Sequence, residues 1–219
     1  MAVDRWLLEQ HIQGLHPPTL RFYIWSPPAI SLGYHQHKYP TDWQQLTWQG
    51  QQLELMRRPT GGRAVLHQGD LTYAVVTSGL GKSRVQAYQE ICEFLIQGWR
   101  SLGVELDYGT AGRGYIHNPN CFGTATGADL VTIDGAKLIG SAQLRRGDAV
   151  LQHGSMRLQP DVQLFQQVFG DESLMPQIPE VEVEAVMAAM MAAAENCFGM
   201  KLEARSLTDD EWQAILMAK

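Results

Sequence analysis

A chain of 219 residues, 45% hydrophobic and 18% charged, has the apolar mass for a buried core and the balance of an ordinary globular protein. Its formal charge of −6 argues against a general nucleic-acid binder, and no apolar run reaches the length of a membrane span. Three scattered cysteines, Cys92, Cys121 and Cys197, make neither a disulfide framework nor a zinc-ligand spacing, so free thiols and no metal are expected. The start, MAVDRWLLEQ, lacks a basic region followed by an apolar block, which implies a cytoplasmic protein.

Residues 1–13 set Val3, Trp6, Leu7, Leu8, His11 and Ile12 near one face, an amphipathic helix that Pro17 and Pro18 would close. Residues 20–25 and 30–34 are rich in β-branched and aromatic side chains and flank Ser-Pro-Pro, which predicts two strands joined by a short turn. Thr41 offers an N-cap for a brief helix over 42–46, and 53–58 reads as a strand. That strand runs into RRPTGGRAVLHQGDLTYAVV, residues 57–76. Gly61 and Gly62 can take φ > 0 and bare backbone amides to a flat or anionic group, and two strands are expected around Gln68-Gly69-Asp70.

Ser83 caps the clearest helix, in which Val85, Tyr88, Ile91, Cys92, Leu95, Ile96, Trp99 and Leu102 keep helical spacing as far as Gly103. Cys92 sits within that apolar stripe and should pack there. After a strand at 104–108, residues 109–127 hold five glycines, a proline and two asparagines, a loop of the length that lids and binding segments have. Cys121 lies in it. Residues 129–133 and 137–145 alternate around Asp134-Gly135, and 149–158 returns after Gly147-Asp148, predicting a three-strand meander. Residues 161–169 look helical. A helix over 182–198 should pack its methionines on the sheet, with Cys197 in the core, followed by a last strand at 200–205 and a terminal helix opened by the capping box Thr208-Asp209-Asp210-Glu211.

Helices interrupted by hairpins, with no repeat and no linker, predict one domain over 1–219 of α+β class, a mostly antiparallel sheet flanked by helices. The motif stretches 57–73 and 137–157 carry +2 and +3 against the acidic remainder. Such a local basic site suits an anionic substrate or an acidic partner, although solvated hairpin charges would look the same.

RRPTGGRAVLH resembles the signature of the lipoate–protein ligase, octanoyltransferase and biotin ligase superfamily, GAKLIGSAQ its second signature in the lipoate branch, and LRFYIWSPPAISLGYHQ the opening hairpin of that branch. The resemblance implies the class II synthetase/biotin ligase-like catalytic fold. Cys121-Phe122 with the segment after it is similar to LipM-type octanoyltransferases, which implies an enzyme of lipoate biosynthesis that needs no cofactor. Its donor would be octanoyl–acyl carrier protein and its acceptor a lysine of a lipoyl-domain or GcvH-like protein, with no nucleic acid or membrane involved. Cys121 is then the nucleophile, and its loop would admit a bulky thioester where Cys92 and Cys197 sit in predicted helices. A thiol near pKa 8.5 needs a nearby cation to ionise usefully at neutral pH. The resemblance gives that role to Lys137, which by itself reads equally as a solvated strand-end lysine.

The resemblance places Gly140, Ser141 and Ala142 at the substrate. His67 and His153 are either strand histidines satisfied by backbone or lining residues of the acyl pocket near Gly61 and Gly62. Arg58 and Asp70 suit positioning of the loop or of a pantetheine-like group. Two alternatives stay open: an ATP-dependent lipoate–protein ligase, and a non-catalytic protein that binds acyl carrier. The Gly-Arg-Gly-Arg run of biotin ligases is absent.

Overall fold

A computed structural model describes residues 1–81, 83–110, 127–170 and 175–218. The chain opens with helix α1 (Ala2–Ile12), then strands β1 (Thr19–Tyr23) and β2 (Ala29–Leu32), a 3-10 turn (Thr41–Gln44), and short strands β3 (Thr47–Trp48), β4 (Gln51–Gln52), β5 (Glu54–Arg57) and β6 (Val65–His67). The long strand β7 (Asp70–Thr77) leads to helix α2 (Arg84–Ser101) and strands β8 (Leu106–Tyr108), β9 (Asp129–Thr132), β10 (Lys137–Arg146) and β11 (Ala149–Arg157). Helices α3 (Val162–Phe169), α4 (Val183–Phe198) and α5 (Asp209–Met217) complete the described chain.

Six strands form an antiparallel sheet in the order β1-β7-β11-β10-β9-β8, and β5-β2-β6 form a smaller sheet in which β2 runs parallel to β5 and antiparallel to β6. The α+β reading therefore stands. Helices cover both faces of the large sheet, so β7 is buried at every residue but the last and shows an unbroken apolar run instead of an alternation. Tyr73 and Val75 face a core built with α2 and α4, around Trp99, Phe94 and Ile91. Ala74 and Val76 face a second core with Leu7 and Leu8 of α1 and Ile215 of α5. The small sheet has its own core, in which Ile30, Leu66 and Trp43 meet Phe165 of α3.

Local sequence signals held where the partner is near in the chain. Ser83 and Gln86 form a reciprocal cap on α2, Thr208 and Glu211 another on α5, and β9, β10 and β11 pair in succession as a meander. Where the partner is distant they failed. β1 and β2 do not form a hairpin: β1 pairs with β7, and β2 with β5 and β6. Nor do β6 and β7 pair with each other, because the chain crosses from the small sheet to the large one at Gln68-Gly69.

Four smaller expectations are corrected. α1 ends at Ile12, before the prolines, and Ile12 itself is exposed. Thr41 lies inside the 3-10 turn and makes no cap, since Pro40 precedes it there. Residues 200–205 form no strand. α4 packs mainly on α2, with Met190 seated where Gly98 leaves room, and Cys197 is only partly buried against that core. Among the described residues no helix is long and apolar enough to cross a membrane.

Candidate active site

The Pro-Thr-Gly-Gly turn lies over β2, and the two are in backbone contact. A Cβ on Gly33 would stand 1.8 Å from the Gly62 carbonyl oxygen, so only glycine admits the approach. Gly33→Ala should therefore push the turn off the strand at a cost of about 3 kcal/mol, roughly 6–12 °C in Tm for a chain of this size. Calorimetry checks this, and an unchanged Tm would mean that the turn can yield.

Arg58, only 5% exposed, braces the turn from beneath. It donates to the Ser31 carbonyl at 2.8 Å, to the Gly61 carbonyl at 2.9 Å and to the Arg63 carbonyl at 2.6 Å. Arg57 donates to the carbonyls of Gly33 and Gln36. Of the three arginines around this turn, Arg58 is spent inside the fold, while Arg57 stays exposed with its guanidinium on backbone carbonyls.

Where the small sheet meets the large one a cleft opens. Ser31, Arg58, Gly62, Val65 and His67 line one side, and Gly140, Ser141 and Ala142 of β10 with His153, Gly154 and Ser155 of β11 line the other. Seven of the expected substrate residues are brought together here: Arg58, Gly62, His67, Gly140, Ser141, Ala142 and His153. Gly61 gives its carbonyl to Arg58 instead of forming a wall. Gly154 is required by packing, because a Cβ there would stand 2.6 Å from both Ser141 Oγ and a Tyr73 ring carbon.

Neither histidine is satisfied by backbone; each is held between a hydroxyl and a carboxylate. His67 Nε2 is 2.8 Å from Ser31 Oγ and its Nδ1 2.8 Å from Asp70 Oδ2. His153 Nε2 is 2.6 Å from Thr60 Oγ1 and its Nδ1 3.3 Å from Asp4 Oδ2. Asp4 also accepts from Arg21 and Tyr23, so the second chain ties the Gly-Gly turn through β11 to α1 and β1. Ser31, Thr60 and Asp4 were not singled out from the sequence. Asp4 did leave a signal, a charge on the buried face of α1 between Val3 and Leu7.

Burial is the main reason that the His153 pKa falls below the ordinary histidine value, outweighing the hydrogen bond to Asp4. Burial pushes Asp4 upward, but the hydrogen bond from His153, the chain's amino group and Arg21 outweigh it and hold the carboxyl well below its usual range. Both depressions have the same sign for stability. On acidification the unfolded chain protonates His153 near 6.5 and Asp4 near 3.8 before the folded chain does, so stability is full above that window and is lost as pH falls through it. The urea midpoint should drop between about pH 7.5 and about pH 5.5 by less in His153→Gln than in the parent protein.

Lys137, expected as a strand-end residue, does open β10 but is not solvated. It is 4% exposed and paired with Asp129 Oδ1 at 2.8 Å. Cys92 is fully buried, where Gln152 donates both to its sulfur and to Tyr73. Burial, the leading cause, pushes its thiol up to about 12, and burial also raises Cys197. Cys121 lies outside the described residues, as does most of its loop.

The profile of the lipoyl protein ligase A/B catalytic domain matches residues 1–197. Among curated proteins the chain is similar to Octanoyltransferase LipM of Halalkalibacterium halodurans, at 34% identity covering 96% of this chain and 86% of that protein. It is 44% identical to Octanoyltransferase LipM of Moorella thermoacetica, over 72% of this chain and 60% of that one. The fold is shared with a lipoate-protein ligase A crystallised with ATP, at a TM-score of 0.81 and 22% identity, covering 99% of this chain and 86% of that one. A bi-partite lipoate protein ligase from Thermoplasma acidophilum gives a TM-score of 0.72 at 20% identity, covering 98% and 86%.

Proposed function

Because the chain belongs to the family of lipoyl protein ligase A/B catalytic domains, we propose that it is an octanoyltransferase of lipoate biosynthesis that works through a thioester on Cys121. The observation that carries this reading is its likeness to curated octanoyltransferases along nearly its whole length. In the first half-reaction the Cys121 thiolate attacks the carbonyl carbon of octanoyl–acyl carrier protein; the new C–S bond forms as the bond to the pantetheine sulfur breaks. In the second, a neutral lysine amine of a lipoyl-domain or GcvH-like protein attacks that carbonyl, the amide forms and Cys121 leaves. Both acyl donors are thioesters, already activated, so neither step needs ATP.

The described cleft suits these steps. Gly140, Ser141, Ala142 and Gly154 keep its walls low, and Gly62 exposes backbone at its rim. Arg58 and Asp70 hold the walls in place through Ser31 and His67. Lys137 supplies the cation that favours the Cys121 thiolate, with residues 1–219 acting as one catalytic domain in the cytoplasm. The test is transfer from octanoyl–acyl carrier protein to a lipoyl domain, followed by intact mass, with and without ATP and magnesium. Equal yields are expected. A strict requirement for ATP would move the protein to the ligase class.

A further inference from the structure

We propose that Ser31, His67 and Asp70 form a proton relay that removes the proton of the acceptor lysine before it attacks the acyl-enzyme; this rests on the transferase reading above. The three residues come from β2, β6 and β7, so the chain runs across the junction of the two sheets. Ser31 is 0%, His67 3% and Asp70 7% exposed, yet Ser31 and His67 line the cleft.

The hydrogen bonds have a direction. An ionised carboxylate only accepts, so Asp70 fixes the hydrogen of the neutral ring on Nδ1 and leaves Nε2 a lone pair. Arg58 Nη1 donates to Ser31 Oγ at 3.2 Å, which turns the hydroxyl hydrogen toward Nε2. A proton reaching Ser31 Oγ from the cleft is thus passed on as the hydroxyl hydrogen moves to His67. Trp25 holds the ring, stacked at 4.1 Å, with its own Nε1 on Thr72.

Asp70 makes the charged ring tolerable. Its Oδ2 also accepts from Ser155 at 2.6 Å and Thr72 at 3.2 Å, while Oδ1 is buried with no hydrogen-bond partner among the described residues. Such a carboxylate gains an ion pair when the ring takes a proton. Arg58 lies on the far side of Ser31, and the other titratable groups that line the cleft among the described residues are His153 and the Met1 amino group.

The proton inventory balances. The lysine ammonium gives one proton through Ser31 to His67 and becomes a neutral amine. Its nitrogen then bonds to the octanoyl carbon, the C–S bond to Cys121 breaks, and the leaving thiolate takes the second proton from the new amide nitrogen. His67 returns its proton to water.

The test isolates acyl-enzyme made with octanoyl–acyl carrier protein and follows its discharge by mass in the parent protein, Ser31→Ala and Asp70→Asn. The asparagine amide donates to Nδ1 and so moves the ring hydrogen to Nε2 with little change of shape. A lost general base corresponds to a rate loss of about 10²-fold or more at neutral pH. Discharge to a lipoyl-domain lysine should slow by that factor in both variants, and the deficit should shrink as rising pH supplies free amine. Discharge to hydroxylamine, already neutral at pH 7, should slow far less. Equal losses for both nucleophiles at every pH would make the residues merely structural and overturn the relay, as would lysine transfer at parental rates. Absence of acyl-enzyme in the parent protein would sink the transferase reading, and the relay with it.

Discussion

Cys121→Ser should acquire no octanoyl adduct from octanoyl–acyl carrier protein, whereas Cys92→Ser and Cys197→Ser should keep the single adduct of the parent protein. The expectation is all-or-none because the other thiols are poor nucleophiles. Cys92 is fully buried, and with its pKa pushed to about 12 its thiolate fraction at neutral pH is about 10⁻⁵. Cys197 is partly buried near the end of α4, where burial and Glu93 raise it as well. Intact mass decides the matter: an adduct that survives Cys121→Ser refutes the assignment. Cys92→Ser replaces a core sulfur that accepts from Gln152, so it should lower Tm while keeping the adduct.

Lys137→Met should have the next largest effect, and it acts on stability as well as chemistry. Lys137 and Asp129 are paired at 2.8 Å with their side chains 3% and 6% exposed, so removing the lysine deprives a buried carboxylate of a cation in direct contact with it. Breaking such a pair costs about 3 kcal/mol or more, which is roughly 6–12 °C in Tm here. Replacing both partners by apolar side chains is far cheaper, so Lys137→Met/Asp129→Leu should recover most of the loss. If the lysine also favours the Cys121 thiolate by about 1.4 kcal/mol, the pH midpoint of Cys121 alkylation should rise by about one unit in Lys137→Met. Octanoyl transfer should slow with it. An unchanged alkylation midpoint, with the fold intact by circular dichroism, would leave Lys137 with a structural role alone.

The pairing with Asp129 could not be foreseen, because the same lysine at a strand start would be solvated on an exposed edge. Here β9 and β8 cover it on one side of β10 and β11 on the other. The same division runs through the whole chain. The helices α2 and α5, with their capping boxes, and the β9-β10-β11 meander were legible from the sequence because each depends on residues a few positions apart. So were the residues that gather at the cleft, since the glycine turn, His67, the Gly140-Ser141-Ala142 run and His153 stand in recognisable motifs. Strand partnership was another matter. β1, β2, β6 and β7 all have the alternating or apolar pattern of a strand, and nothing local says that β1 belongs with β7 while β2 joins β5 and β6.

That choice is made by which apolar faces can be buried together, and it is also what creates the site. Ser31 sits in an apolar strand, and Asp4 on an apolar helix face; alone, each is only a break in a pattern. Folding brings Ser31 within 2.8 Å of His67 and Asp4 within 3.3 Å of His153, where a buried hydroxyl or carboxylate must find a partner. The sequence by itself therefore determined the family, the α+β class and the identity of most cleft residues. The tertiary structure alone decided which hydroxyl and which carboxylate each histidine meets, because those contacts join residues as far apart as 149 positions and are selected by burial, not by spacing.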